Sequence, residues 1–197
     1  MSTAILPPRP PTPTVPVASV ATADGGPGDS HVAQTGVWIG IGTITMSFAA
    51  LTSALVVRQS GAPDWQHLHL PALLYVNTLV LLASSLTLES ARRRLSPLGL
   101  HVTVALGLLF VVGQVLAWRQ LIAQQQLLAS GPSSAFFYVF TALHAAHVLG
   151  GVGGLLYVQR RLAAGVLALS TYKAAALYWH FMAVLWLYLL ALLTIRG

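Results

Sequence analysis

The stretch AAALYWHFMAVLWLYLLALLTI, residues 174–195, contains no Asp, Glu, Lys or Arg and is long enough to cross a bilayer as a helix. A spanning helix needs about 20 predominantly apolar residues. Inside lipid the backbone must satisfy its own polar groups, so a run of this length is helical. Four earlier stretches are comparably long and apolar: residues 36–57, 70–90, 97–118 and 136–159. The sequence therefore predicts an all-α transmembrane bundle of five spans within a domain from residue 34 to residue 197.

The composition excludes an ordinary soluble domain. Only 7% of the residues are charged and 56% are hydrophobic, whereas a soluble domain has roughly 25% charged residues. The net charge of +6 suggests nucleic acid in some proteins, but here the basic residues flank apolar runs, so we expect no nucleic-acid partner. There is no cysteine, which excludes disulfides, thiolate metal sites and cysteine nucleophiles.

The first residues have a different composition from the rest of the chain. The runs PPRPPTPTVPV (residues 7–17) and DGGPGDS (residues 24–30) are too rich in Pro, Gly and Ser to bury a core. They also lack the basic start and apolar stretch of a secretory signal. We expect residues 1–33 to form a disordered tail on the cytoplasmic side.

The basic residues predict the orientation of the spans. With five spans, one side of the membrane receives seven Lys/Arg and the other receives three, Arg58, Arg119 and Arg196. Because cytoplasmic loops are enriched in Lys and Arg, the richer side is predicted to be cytoplasmic and Gly197 to lie outside. The seven residues on the richer side are Arg9, Arg92, Arg93, Arg94, Arg160, Arg161 and Lys173.

Short connections predict that sequential helices pack as antiparallel neighbours. The connection after Trp118 is polar with spaced Leu and Ile, so we expect a helical extension there. Small or polar residues recur at helical spacing in the first and fourth spans, and such stripes should face inward or toward a partner. Their members are Gly36, Gly40, Thr43, Ser47, Ala50 and Ala54 in the first span, and Thr141, His144, His147, Gly151 and Gly154 in the fourth.

Ionisable residues inside the spans are few. Glu89 precedes Arg92 and Arg93 by three and four residues, which predicts an ion pair at the end of the second span. His144 and His147 share a helix face, and together with His180 they suggest two alternatives. One is a packing role through hydrogen bonds between helices, and the other is ligation of a haem or metal. Without carboxylate or cysteine partners, we favour the packing role, in which the histidine pair and His180 hold the fourth and fifth helices together.

Three segments resemble subunit III of the haem–copper cytochrome c oxidases. YWHF at 178–181 followed by Trp186 is similar to the family's YWHFVDVVW signature. SSAFFYVFTALHAAHVLGG at 133–151 resembles STFFxxTGxHGxHVxxG, and NTLVLLASSLTLESA at 77–91 resembles NTxxLLxSSxT. The resemblance covers about residues 36–195 and indicates the five-helix bacterial form. The matching residues are Asn77, Ser84, Gln114, His144, His147, Tyr178, Trp179, His180, Phe181 and Trp186.

The resemblance implies a non-catalytic, multi-pass component of a respiratory terminal oxidase in the bacterial cytoplasmic membrane. It would stabilise the catalytic subunit of a complex that reduces oxygen with electrons from cytochrome c or quinol. Haem and copper are expected in partner chains: a haem-containing subunit I, with subunit II and other respiratory subunits as further candidates. This chain is expected to hold no catalytic, cofactor-binding or metal-binding residue, and phospholipid is its candidate ligand. The alternatives are an accessory subunit of a nitric oxide reductase, a histidine-ligated membrane haem or metal protein, and a small transporter.

Four positions depart from the family pattern. Ile44, Ala117 and Ala183 stand where the family has acidic residues, and Lys173 replaces an acid before YWHF. In the family the glutamate at the first of these positions is associated with proton uptake, and Ile44 cannot take that role. We therefore expect this chain to act in assembly and lipid contact rather than in proton handling.

Overall fold

The structure, a computed structural model, describes residues 27–61, 70–94, 96–123 and 131–196, with side chains described from residue 34 onward. These residues form five helices, and all five are long and apolar enough to cross a membrane. This confirms the predicted all-α bundle of five spans. The helices are α1 (Pro27–Ser60), α2 (Ala72–Arg94), α3 (Pro97–Ala123), α4 (Pro132–Ala163) and α5 (Leu169–Arg196).

Several helices extend beyond the predicted spans. Helix α1 begins at Pro27, so helix replaces the predicted tail over residues 27–33, while residues 1–26 lie outside the described residues. Helix α3 continues past Trp118 to Ala123, as the predicted extension requires. Proline stands at the first position of α1, α3 and α4, where its fixed φ suits a helix start and its missing N–H costs nothing.

The order of helices in space differs from the order in the chain. Helices α2 and α3, α3 and α4, and α4 and α5 pack as sequential neighbours, as predicted. Helix α1 instead packs on α5 and, less extensively, on α4, and it makes no contact with α2 among the described residues. The expectation that α1 and α2 pack together is therefore wrong. The inner faces of α2 are occupied by α3 and α5, so no buried face of α2 is left for α1.

Helix α5 lies at the centre, in contact with α1, α2 and α4. Its Trp179 and Trp186 are fully buried. Gly107 of α3 lies directly against Trp179, since a Cβ at this position would lie 2.6 Å from Cη2 of the indole. A Cβ at Gly113 of α3 would likewise overlap the amide of Asn77 in α2. These two glycines let α3 come close to its neighbours, as small residues do in membrane bundles.

The two stripes of small and polar residues lie on different sides of the bundle. In α4, Thr141, His144 and Gly151 are buried. In α1 the buried side chains are Ile41, Ile44, Phe48 and Leu55, and the stripe is turned outward. Its exposed members are Gly36, Thr43, Ser47, Ala50 and Ala54. The stripes were predicted to face either inward or toward a partner. The buried members of the α4 stripe face inward, whereas the α1 stripe lies on the outer surface.

Candidate functional site

Two indole N–H groups of α5 bond to hydroxyl groups of α2. Trp186 Nε1 donates to Thr78 Oγ1 at 2.9 Å, and Trp179 Nε1 donates to Ser84 Oγ at 3.0 Å. Residue numbers rise along α2 as they fall along α5, so the pairs form a ladder between antiparallel helices. All four residues are buried. We call this set, together with Ser85 and His180, the α2–α5 seam.

The seam continues to the end of the bundle that carries the arginines. His180 Nδ1 shares a hydrogen bond with Ser85 Oγ, and its Nε2 lies 3.9 Å from Glu89 Oε2. Arg92 and Arg93 both donate to the Glu89 carboxylate, with Arg92 Nη2 at 2.7 Å and Arg93 Nε at 2.8 Å. The predicted ion pair of Glu89 is thus confirmed. His180 joins α5 to α2, and the expectation that it would hold α4 to α5 is wrong.

Polar side chains also join α2 to α3. Asn77 Nδ2 donates to the backbone oxygen of Phe110 at 2.9 Å. Ser84 Oγ donates to the backbone oxygen of Thr103 at 3.3 Å. Asn77 is almost fully buried, so its bond satisfies a donor that water cannot reach. The family-motif residues Asn77 and Ser84 thus act as links between helices.

His144 is fully buried, and neither ring nitrogen has a hydrogen-bond partner among the described residues. Its ring lies between two aromatic side chains instead. The ring centroids are 5.0 Å from Trp186 and 5.9 Å from Phe110, which it meets edge-on. The predicted hydrogen bond between helices is therefore wrong for His144, because aromatic rings of α3 and α5 enclose its imidazole.

The His147 side chain does not cross to α5 either. Its Nδ1–H donates to the Leu143 backbone oxygen of its own helix at 2.7 Å, and its ring faces Phe48 of α1 at 6.0 Å. The link to α5 uses the main chain, since the Tyr178 hydroxyl donates to the His147 backbone oxygen at 3.1 Å. The prediction that the imidazole of His147 bonds between helices is wrong, although α4 and α5 are joined at this residue.

The remaining family-motif residues have packing positions. Gln114 is fully buried in α3, and neither atom of its amide has a partner within the described part of the chain. Phe181 is partly buried and packs against the hydrophobic core. Sequence reasoning found both positions but gave no partner for the amide, and the described residues supply none.

No group of three or more His, Cys, Asp or Glu among the described residues is arranged to hold a metal ion. His180 lies beside Ser85, whereas His144 lies between Phe110 and Trp186. The side chains named in the metal-site alternative are therefore not gathered into one ligand set.

The positions that depart from the family pattern lie in apolar surroundings. Ile44, Ala117 and Ala183 are all buried in the hydrophobic core, and Lys173 is exposed. A carboxylate buried at any of the first three would require a polar partner. The apolar side chains fit these positions without one.

An open groove of about 420 Å³ lies between α1, α4 and α5. Gly150 and Gly154 contribute surface without side chains, and Val37, Tyr157 and Tyr178 line its sides. A Cβ at Gly154 would meet no atom within 4 Å. Apart from the hydroxyl groups of Tyr157, Thr171 and Tyr178, the side chains that line the groove are apolar.

Comparison with known sequences gives these residues a context. The sequence model of cytochrome c oxidase subunit III matches residues 34–197. The chain belongs to the cytochrome c oxidase subunit III family. Alignments with individual relatives from this family also cover most of the chain. "Cytochrome c oxidase subunit 3" of Corynebacterium diphtheriae is 29% identical over 172 residues, covering 76% of this chain and 83% of the relative.

Two relatives from bacilli give similar values. The subunit 3 of Bacillus sp. strain PS3 is 26% identical over 175 residues, covering 82% of this chain and 84% of its own length. That of Bacillus subtilis is 28% identical over 176 residues, covering 82% of this chain and 85% of its own length. The resemblance found in three sequence segments thus extends over all five helices.

Sequence reasoning did not find which residues pair in the seam. Trp179 and Trp186 are seven apart in α5, so they lie on one face of that helix. Their hydroxyl partners in α2, Thr78 and Ser84, are six apart, so the two helices do not share one spacing. The two tryptophans on one face were a signal of a common neighbour, but they did not identify its residues.

Proposed function

We propose that this chain is the third subunit of a haem–copper respiratory oxidase and that it stabilises the catalytic subunit without holding a redox centre. The observation that carries this proposal is the family match over residues 34–197, which includes every span. The relatives are named as subunits of cytochrome c oxidase. That naming favours an oxidase over a nitric oxide reductase.

The polar residues of the bundle support a structural role. Among the side chains that the structure describes, Glu89 carries the only carboxylate, and it is held by Arg92 and Arg93. Ile44, Ala117 and Ala183 are apolar and buried. A proton path through a membrane protein uses chains of ionisable groups, and these positions supply none.

The exposed stripe of α1 supports contact with a partner helix. Helices associate in lipid through small side chains that let backbones approach closely. Thr43 and Ser47 donate to backbone oxygens of their own helix, so the stripe presents little unsatisfied polarity. We propose that it packs on the haem-containing subunit. Ala50→Leu should weaken that association, whereas Met46→Leu, at an exposed position of the same helix, should leave it intact.

The groove between α1, α4 and α5 supports lipid contact. Its glycines leave room for an acyl chain beside Tyr157 and Tyr178. Gly154→Leu would fill this space, and we expect it to lower the phospholipid that co-purifies with the protein. Unchanged lipid content in a folded Gly154→Leu protein would contradict this part of the proposal.

The orientation with a cytoplasmic amino terminus is supported by the distribution of Lys and Arg. The chain has no cysteine, so single cysteines report their own position. Ala164 follows α4, and Gly61 follows α1; both are exposed. A membrane-impermeant maleimide added to spheroplasts should label Gly61→Cys and spare Ala164→Cys. The opposite pattern would overturn the orientation.

The function is tested by purification through an affinity tag on this chain in mild detergent. We expect a haem-containing large subunit to co-purify, with oxygen consumption by the complex from reduced cytochrome c or quinol. A stable protein that recovers no haem-containing partner would count against the proposal. A partner that reduces nitric oxide but not oxygen would favour the nitric oxide reductase alternative.

A further inference from the structure

A second cavity lies at the end of the bundle that carries the arginines, between the start of α3 and the end of α4. Its volume is about 250 Å³. Pro97 and His101 line it from α3, and Gln159, Arg160 and Ala163 line it from α4. It is separate from the groove between α1, α4 and α5. We call it the α3–α4 pocket.

Arg160 differs from three other arginines at this end of the bundle, Arg92, Arg93 and Arg161. Arg92 and Arg93 are held by Glu89, and Arg161 donates to the Tyr157 hydroxyl at 3.0 Å while its guanidinium lies 5.3 Å from the centre of that ring. Within the described part of the chain, no group pairs with the guanidinium of Arg160. The pocket therefore borders a cation whose charge none of the described residues compensates.

Two other polar side chains of the pocket have hydrogen-bonding atoms that are not in use. Gln159 Oε1 is buried and has no partner among the described residues. His101 Nδ1–H donates to the Pro97 backbone oxygen at 2.7 Å, and its Nε2 has no hydrogen bond to any residue that the structure describes. Helix α3 begins at Pro97, so the positive end of its dipole lies beside the pocket. None of the residues that line the pocket is acidic.

We propose that the α3–α4 pocket binds the phosphate group of an anionic phospholipid. Arg160 presents a planar fork of donors that matches phosphate oxygens. Basic pockets between transmembrane helices are suited to acidic headgroups. Because no carboxylate lines the pocket to receive a choline or ethanolamine ammonium group, a net-negative headgroup fits better than a zwitterionic one.

The surroundings of the pocket favour a lipid, rather than soluble phosphate, as the source of the bound phosphate group. The pocket lies at the start of the membrane span Pro97–Ala123 and at the end of the membrane span Pro132–Ala163. The ends of spans are where lipid headgroups are expected. Leu156 lines the pocket. Leu149 precedes it by seven residues and therefore lies on the same face of α4. Both are exposed and offer an apolar surface along which an acyl chain extends into the membrane.

The test compares lipids with equal chains and different headgroups. The full chain, purified in mild detergent with any subunits it retains, is titrated with phosphatidylglycerol or phosphatidylcholine, and bound lipid is counted by native mass spectrometry. We expect phosphatidylglycerol to bind about fivefold more tightly, the effect of about one well-placed cation. Arg160→Gln should remove this preference, and Arg161→Gln is the matched control that should keep it.

Two further measurements complete the test. Ala163→Phe fills the pocket without changing charge and should also lower phosphatidylglycerol binding; it decides the question if Arg160→Gln does not fold. Inorganic phosphate at millimolar concentration should not displace the lipid. If Arg160→Gln and Arg161→Gln lowered phosphatidylglycerol binding equally, the lipid would be held by general electrostatic attraction, and the proposed binding site in the pocket would be overturned. Displacement by inorganic phosphate would overturn the lipid as its ligand. None of these outcomes depends on whether an oxidase subunit co-purifies.

Discussion

The α2–α5 seam and the layer between α3 and α4 are both buried and both contain polar family-motif residues, but they satisfy them differently. In the seam, Trp179 and Trp186 each donate to a hydroxyl group on the facing helix. Between α3 and α4, Gln114 and His144 are fully buried and have no hydrogen-bond partner among the described residues. The motif residues of the seam therefore hold two helices by hydrogen bonds, whereas Gln114 and His144 occupy their layer by shape. The hydrogen bond that does join α3 to α4 runs from Trp118 Nε1 to Thr141 Oγ1 at 3.0 Å.

The largest expected effect comes from disturbing the packing beneath the seam. Gly107→Val places a branched side chain where Trp179 already lies, because a Cβ there would be 2.6 Å from the indole. Overpacking of this kind costs about 1–3 kcal/mol, and here it also displaces the Trp179 donor. Thermal unfolding of the detergent-purified protein should show a clearly lower midpoint. Gly153→Val is the control, since a Cβ at Gly153 meets no atom within 4 Å.

The next effect separates the hydrogen bonds of the seam from its packing. Thr78→Val keeps the shape of the side chain and removes the acceptor for Trp186 Nε1–H. A buried donor left without a partner costs about 1–3 kcal/mol. We expect Thr78→Val to lower the unfolding midpoint. In a protein that already carries Trp186→Phe, adding Thr78→Val should lower the midpoint by less, because the indole N–H is no longer there to be left without a partner. Additive effects would show that the bond does not couple the two residues.

A smaller effect is expected where α4 meets α5 through the main chain. Tyr178→Phe removes the hydrogen bond to the His147 backbone oxygen, which is worth about 0.6 kcal/mol by comparison with other membrane bundles. His147→Leu leaves that backbone acceptor in place, so the Tyr178 bond should survive it. Tyr178→Phe should therefore lower the free energy of unfolding by the same amount whether position 147 carries His or Leu. A smaller cost beside Leu would mean that the imidazole takes part in the link.

The smallest change, and one of opposite sign, is expected between α3 and α4. Gln114→Leu replaces a buried amide that has no described partner with an apolar side chain of similar volume. Because an unsatisfied buried polar group costs free energy, stability should stay within about 0.5 kcal/mol or rise. A large loss of stability would show that the amide is satisfied by a bound water or by another subunit, and would end the contrast with the seam.

The spans could be predicted from sequence because hydropathy acts along the chain and needs no knowledge of neighbours. The Glu89 ion pair was predictable for the same reason, since its partners lie three and four residues away. The hydrogen-bond partner of His180 and the aromatic rings that enclose His144 were not predictable. They depend on which helix face meets which neighbour, and neighbouring helices follow the chain order only for α2 to α5.

The two stripes of small residues show the same limit. The spacing of residues in α1 and α4 indicated a face suited to close packing in both helices. It did not indicate that α4 would bury its stripe while α1 buries Ile44, Phe48 and Leu55 instead. The difference arises because α1 lies outside the α2–α5 sequence of neighbours. It is enclosed on one side only, where its bulky side chains face α4 and α5.

The packing of α1 on α5 has a consequence for biosynthesis. The ribosome makes α1 first and α5 last, yet the Tyr188 hydroxyl of α5 donates to Thr52 of α1 at 2.9 Å, and Gln59 of α1 donates to the Arg196 backbone oxygen. While the middle helices enter the bilayer, α1 has yet to meet its main neighbour. A nascent chain stalled before α5 would therefore hold α1 apart from α2 and α3, available to lipids, to an insertion factor or to a proteolytic quality-control system.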